Sequence, residues 1–401
     1  MSRRRRSGLL ANALLAIGSL ALFACALELA ARHFDLRPAS GSALANPPWL
    51  GNRWLLRADY RDEFASAGQL ARYYDLYEWD RYLFYRLRPA ASLELVDVFA
   101  PPEARERTRW RVQTNSLGFR TREFSMGRTP GTLRVVVLGD SSTFGWGVDA
   151  SEAYPERLQA ALAARLDLPL ERVEVIDLGV PGYSSFQGLI LLQRLGLALS
   201  PDLVVWSFLS NDGAATGEDD RATYGRRVGP AGALLEALHA SRAFEALEGW
   251  IAVARACLHP VVPPDPQDPT QRNVASYHAA RVNVRAAVEA AHRAGVPIAL
   301  VAQCVRGVPA DLMAEVAHET GAPFLDATAL LDGAVPLIAS DARFAGDRER
   351  IGLRYGADTL AIHPLWLVFL PDRCHPNPLG HRLVADTLAE LVAASFPQLS
   401  R

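Results

Sequence analysis

The chain has 401 residues, 50% of them hydrophobic, and a formal net charge of −2. That length exceeds one ordinary domain, and the apolar content suffices for a large core. A near-neutral charge gives no support for a nucleic-acid partner. All 42 basic residues are arginines and alanine is abundant, which reads as the coding bias of a GC-rich bacterial genome and not as a mechanism.

Residues 3–6 are four consecutive arginines, followed by the apolar stretch GLLANALLAIGSLALFACALELAA over 8–31. A helix of that length crosses ~30 Å of hydrocarbon, and only Asn12 and Glu28 are strongly polar within it. A secretory signal has a shorter apolar core of roughly 7–15 residues and then a small-residue cleavage site. The run therefore predicts an uncleaved transmembrane signal anchor over 7–31, with a cytoplasmic basic tail at 1–6 by the positive-inside rule. Leu22-Phe23-Ala24-Cys25 also loosely matches a lipobox, the signal for lipidation at a cysteine. Both readings tether the globular part outside the cytoplasm.

Residues 32–130 change character. Pro, Trp, Tyr and Arg are frequent, as in NPPWLGNRWLLR and YYDLYEWDRYLFYRLRP, and no long helical or strand period persists. This predicts a stalk and an N-terminal extension whose aromatics pack on the following domain. An aromatic surface for sugars or for the membrane interface is the rival reading. Asn115, Ser116 and Gly118 form a turn signature that marks the approach to that domain.

From 131 to 401 the pattern alternates. Apolar runs at 133–138, 173–178, 203–209, 298–303 and 323–327 predict five strands. Helical patterns separate them, including YPERLQAALAARL, FQGLILLQRLGLAL, VASYHAARVNVRAAVEAAHRAG and ADLMAEVAHETG. Continuous apolar strands between amphipathic helices predict a mostly parallel five-stranded sheet covered on both faces. In such sheets ligands bind beyond the carboxyl ends of the strands. Ser141 lies at the end of the first strand and Asn211 at the end of the third.

An insertion at about 213–273 interrupts the alternation. It holds the polar GEDDRATYGRR, the amphipathic SRAFEALEGWIAVARACL and the proline-rich HPVVPPDPQDPTQ. It follows Asn211 directly, so it reads either as a lid or substrate wall or as a packed surface insertion. The four cysteines, Cys25, Cys257, Cys304 and Cys374, have no C-x-x-C or zinc-type spacing. Four unpaired thiols are the expectation, with a Cys257–Cys304 disulfide as the alternative.

The strongest chemical signal joins two distant segments. LRVVVLGDSSTFGWG runs a β-branched strand into Gly139-Asp140-Ser141, and PDRCHPNPLGH sets Asp372 three residues before His375. A serine hydroxyl is a weak nucleophile until a base removes its proton, and histidine suits that task near neutral pH. A carboxylate must hold the tautomer and stabilise the imidazolium. Donors for the oxyanion are available from the backbone N–H of Ser141, a glycine in GVPGYSS and the side chain of Asn211. Gly139, Gly145 and Gly147 permit close approach around the serine.

Four ordered blocks carry a family resemblance: GDS at 139–141, LGVPGYSS at 178–185, SND at 210–212 and DRCHPN at 372–377. Together they resemble the SGNH/GDSL hydrolases over roughly residues 133–394. The resemblance implies a three-layer α/β/α sandwich with a flavodoxin-like sheet, here preceded by the transmembrane helix. It implies Ser141 and His375 as the covalent machinery, Asp372 orienting the histidine, and Ser141, Gly182 and Asn211 forming the oxyanion hole. Gly139 and Asp140 support the nucleophile. Gly179 is the rival of Gly182, and Ser142, Ser184, Ser185, His363 and His381 are rival chemical groups in the wrong positions. Ser142 stands where the motif's name has leucine, and Asp177 opens the second block where asparagine is common. The third block lacks the usual glycine close before Asn211. No metal or organic cofactor is implied.

The expected activity is hydrolysis of an ester, O-acyl or O-acetyl, through an acyl-Ser141 intermediate. Transfer of the acyl group to an extracytoplasmic polysaccharide or glycan uses the same constellation. A binding or assembly protein that has lost activity is a third reading, against which the intact triad counts. The expected partners are a small-molecule or glycan ester and, through the N-terminal helix, the membrane, but no nucleic acid.

Overall fold

The computed structural model describes residues 2–34, 36, 63, 64, 66–212, 219–258 and 274–400. Helix α1 (Ser2–His33) comes first and is followed by α2 (Leu70–Asp75). Two short antiparallel pairs then form, β1 (Tyr77–Asp80) with β2 (Phe84–Leu87), and β3 (Ser92–Val96) with β4 (Arg109–Gln113).

The large unit begins at β5 (Leu133–Gly139) and continues through α3 (Ser141–Phe144), α4 (Tyr154–Leu166), β6 (Val173–Asp177), α5 (Ser185–Leu191) and β7 (Leu203–Ser207). Three helices follow, α6 (Asp220–Val228), α7 (Pro230–His239) and α8 (Arg242–Leu258). Then come α9 (Val274–Arg293), β8 (Ile298–Ala302), α10 (Val308–Thr320), β9 (Phe324–Asp326) and α11 (Ala327–Ser340). The chain ends with α12 (Ala345–Tyr355), α13 (Ala357–Ile362) and α14 (Pro378–Ser395).

The five strands β5 to β9 form one fully parallel sheet in the order β6-β5-β7-β8-β9. Every residue of β5, β7 and β8 is buried, which is why these segments read as unbroken apolar runs. Helices α4 and α14 pack together with α11 beside them, and α9 packs against α5 and α10. Right-handed crossovers put these two groups on opposite faces. The result is the three-layer α/β/α sandwich that the alternation predicts, and the five strand assignments hold to within two residues at their ends.

The extension is more ordered than its sequence suggests. Its strands are four or five residues long; β4 is buried at every second residue, but burial in β1, β2 and β3 does not alternate and scattered aromatics fill much of the core. Tyr73, Tyr77, Tyr85 and Trp110 are buried in the same hydrophobic core as the parallel sheet. Tyr85 and Tyr183 exchange hydrogen bonds across the junction, Tyr85 OH donating to Pro181 O (3.0 Å) and Tyr183 OH to Tyr85 O (2.6 Å). The side chains of Tyr73, Tyr77, Tyr85 and Trp110 are thus packed inside the protein and not displayed on its surface. Trp49 and Trp54 lie outside the described residues.

Helices α6 to α8, the described part of the insertion, pack on the extension. Arg81 donates to the carbonyls of Arg227 (3.0 Å), Val228 (2.6 Å) and Gly229 (3.1 Å), and Arg227 returns a bond to Phe84 O (2.7 Å). The proline-rich segment 259–273 and residues 213–218 lie outside the described residues.

Candidate active site

Strand β5 delivers the serine. At Gly139 the backbone runs so close to its neighbours that a Cβ would sit 1.9 Å from Thr143 Oγ1 and 2.7 Å from Ser207 O. Asp140 caps the short helix α3, its carboxylate accepting from Ser142 N (3.0 Å) and from the Ser210 hydroxyl. Burial pushes the Asp140 carboxyl up, against the pull of those hydrogen bonds. The same carboxylate thus ties the turn that carries Ser141 to the loop after β7.

The histidine arrives from the other end of the chain. His375 Nδ1 donates to Asp372 Oδ2 (2.5 Å), which leaves Nε2 to accept from Ser141 Oγ (2.7 Å). Asp372 Oδ1 also accepts from the backbone N–H of Cys374 (2.9 Å) and His375 (3.0 Å). Burial opposes the charge on Asp372, yet His375 and these N–H groups outweigh it and hold the carboxyl below its ordinary value. Burial likewise disfavours a charged His375, but Asp372, then Asp140 and Asp97, raise its pKa above the ordinary imidazole value.

The loop carrying this pair is fixed on several sides. Leu370 N donates to His375 O (2.8 Å), and Asn377 caps α14 through Leu379 N and Gly380 N, both at 2.9 Å. A disulfide joins Cys374 to Cys304 at the end of β8, with Cα atoms 4.5 Å apart. This corrects the expectation of four unpaired thiols, and equally the Cys257–Cys304 alternative. The two partners are 70 residues apart and meet because the triad loop folds over the carboxyl edge of the sheet, a proximity that spacing cannot reveal. Cys25 and Cys257 are free and exposed.

The three oxyanion candidates come from the ends of adjacent strands β5, β6 and β7. Gly182 has φ +81°, a left-handed conformation that favours glycine. Its N–H, like that of Ser141, has no acceptor among the described residues. The rival Gly179 has its N–H committed to Asp177 Oδ1 (2.7 Å), so it is not available for an oxyanion. Asn211 uses one amide hydrogen on Tyr183 O (3.1 Å), beside Gly182, and keeps the other. Asp177, in the place where the family commonly has asparagine, is buried and its pKa is raised to about 7 by that burial.

The rival groups have other work. Ser185 Oγ donates to Asp212 (2.5 Å), Ser184 Oγ to Asp220 (2.5 Å), and Ser142 Oγ is buried without a partner. His381 accepts from Tyr154 N (3.2 Å) and stacks on the Tyr154 ring, with burial lowering its pKa to about 3. His363 stacks on Trp366.

Three residues near the site were not legible as such. Asp97, in the extension, is buried with its pKa raised to about 6, first by burial and next by the charge of Asp372. It accepts from Phe99 N (3.1 Å) and Tyr355 OH (3.2 Å). Trp146 lies 6.2 Å from the His375 ring and is flanked by Phe64, Tyr73 and Trp110 of the extension. Arg120 spreads its guanidinium over the carbonyls of Arg111, Phe144, Gly145 and Val148 at 2.6–2.9 Å, holding the turn that follows the nucleophile. The one sequence signal for Asp97 is its place inside the apolar run LVDVFA.

The model of the GDSL-like lipase/acylhydrolase family matches residues 137–383, from within β5 to within α14. The chain belongs to this family. That membership makes it one of the esterase, lipase and acylhydrolase enzymes. Similar solved structures include a lipolytic protein of the G-D-S-L family from Desulfitobacterium hafniense DCB-2, 16% identical, covering 65% of this chain and 99% of that one at a TM-score of 0.34. A lipase/acylhydrolase from Enterococcus faecalis is 16% identical, with 65% and 95% coverage and a TM-score of 0.35. An acetylxylan esterase from Geobacillus stearothermophilus is 14% identical, with 66% and 94% coverage and a TM-score of 0.36. No match was found among curated proteins. Within this GDSL-like chain the matched segment contains all of Ser141, Gly182, Asn211, Asp372 and His375.

Proposed function

We propose that this GDSL-like protein is a membrane-anchored serine esterase that cleaves O-acyl esters through an acyl-Ser141 intermediate. The observation that carries the reading is the unbroken line from Ser141 Oγ to His375 Nε2 (2.7 Å) and from His375 Nδ1 to Asp372 (2.5 Å). Ser141 Oγ attacks the ester carbonyl as His375 takes its proton, and the carbonyl electron pair moves onto oxygen. The backbone N–H groups of Ser141 and Gly182 and the free amide hydrogen of Asn211 meet that oxyanion. The alcohol leaves with the proton from His375. Water, deprotonated by the same histidine, then releases the carboxylic acid and restores the serine. In this reading residues 131–401 form the catalytic domain, interrupted at 213–273, and residues 32–130 the extension built onto it.

The anchor is part of the proposal. Residues 12–33 have a mean hydropathy of 2.1, and the side chains from Asn12 to Leu27 are exposed. The Cys304–Cys374 disulfide favours an oxidising compartment and so supports a catalytic domain outside the cytoplasm, with residues 1–6 inside. The test uses the full chain in detergent. It should release p-nitrophenol from a short acyl ester and take up a fluorophosphonate, and Ser141→Ala should abolish both. Equal behaviour of the two proteins would overturn the assignment.

A further inference from the structure

Glu28 is an acid in an otherwise apolar helix, and its partners are on a different element. Its carboxylate accepts from Ser241 Oγ (2.7 Å), Arg242 N (3.1 Å) and Ala243 N (3.0 Å), besides Arg32 of its own helix (2.6 Å). Those groups open helix α8, so the last turns of α1 are docked onto the start of α8. Ala31 is fully buried at this contact. The polar interruption in the apolar run is therefore a helix cap on a neighbour.

Helix α8 is amphipathic with its apolar stripe turned outward. Glu245, Ala246 and Gly249 are buried on its inner side. Leu247, Trp250, Ile251, Ala254 and Leu258 are exposed and recur at i, i+3, i+4, i+7 and i+11, the spacing of a single helical face. Trp250 is 67% exposed and Leu258 74%. On the preceding helix α7, Leu234 and Leu235 are exposed as well. A protein surface bathed only in water rarely leaves such a contiguous apolar strip uncovered.

We propose that this face of α8 lies in the headgroup–acyl boundary of the membrane that α1 enters, so that the catalytic domain is held against lipid at two places. The inference rests on the reading of α1 as an anchor. What selects lipid as the occupant is continuity: helix α8, which bears the stripe, opens on Glu28, within the apolar span 12–33 of α1. An amphipathic helix with tryptophan and leucine on one face is suited to lie in that boundary plane. The catalytic crevice then has a set height above the bilayer instead of swinging on a tether, which suits an ester borne by a membrane-proximal molecule.

The experiment uses the full chain with Cys25→Ser and Cys257→Ser, carrying an NBD label at Ile251→Cys or, as the control, at Glu349→Cys on exposed α12. The proteins are reconstituted into phosphatidylcholine/phosphatidylglycerol vesicles, floated, and exposed to headgroup-proximal doxyl lipid. Retained hydrolysis of p-nitrophenyl acetate establishes that each variant is folded. The expected result is a blue-shifted emission at 251 that loses most of its intensity to doxyl lipid, with neither effect at 349. A water-like, unquenched label at 251 on floated protein overturns the inference and leaves the anchor standing. A blue shift without doxyl quenching also overturns it, in favour of a second protein copy covering the stripe. Protein that does not float removes the anchor reading and this inference with it.

Discussion

Replacing both Cys304 and Cys374 by serine tests how the triad loop is held. The disulfide closes a loop of 70 residues. Freeing such a loop in the unfolded chain is worth about 4 kcal/mol on the chain-entropy account. For a chain of this size that corresponds to a fall in melting temperature of roughly 5 °C. The bridge also clamps the segment in which Asp372 and His375 sit on either side of Cys374, so a second effect is expected on the chemistry. A shift of His375 by about 1 Å costs up to ~100-fold in rate, and a drop of roughly tenfold in kcat is expected because Asn377 and the Leu370–His375 backbone bond still hold the loop. Differential scanning calorimetry in detergent and hydrolysis of p-nitrophenyl acetate give the two readouts. A double variant with an unchanged melting temperature and unchanged kcat would refute the reasoning. A lowered melting temperature with full kcat would refute the clamp alone.

Four further outcomes follow from the same geometry. Asn211→Ala should lower kcat by ~100- to 1,000-fold with a small change in KM, measured on a short acyl ester, because an oxyanion donor acts in the transition state; unchanged kcat would remove it from that role. Activity requires neutral His375, whose pKa is raised, so kcat/KM should fall as pH drops through a value above the ordinary imidazole pKa of about 6.5. Asp97→Asn removes one negative charge that favours the imidazolium, so this acid limb should move to lower pH; a limb that stays or moves upward contradicts the coupling. Arg120→Met should destabilise the fold by about 3 kcal/mol or more in chemical denaturation, since it strips partners from three buried carbonyls and a half-buried one; a shift within error would show that water replaces them.

The parallel sheet was legible because β5, β7 and β8 are buried on both faces, and burial on both faces demands unbroken apolar runs. The hydrogen-bonded meeting of Ser141, His375 and Asp372 was legible because these residues sit in short local signatures, a serine at a strand exit and an acid three residues before a histidine. The extension was not, because strands of four or five residues carry too few alternations to read: even β4, buried at every second residue, shows only two core positions, Trp110 and Val112. Asp97 and Trp146 gain meaning only from the packing of the extension beside His375. The Cys304–Cys374 pair escapes sequence reasoning for the same reason: the two cysteines are 70 residues apart and meet only through the packing of the loop that carries Asp372 and His375. Glu28 looked like a flaw in an apolar helix until its partners on α8 were seen.

The central claim is that Ser141 becomes covalently acylated, and its most direct test is mass spectrometry of the intact protein and its peptides after fluorophosphonate treatment. The account predicts a single adduct on the peptide containing Gly139-Asp140-Ser141, localised to Ser141 and absent from Ser141→Ala. An adduct on another residue, or undiminished labelling of Ser141→Ala, would contradict it.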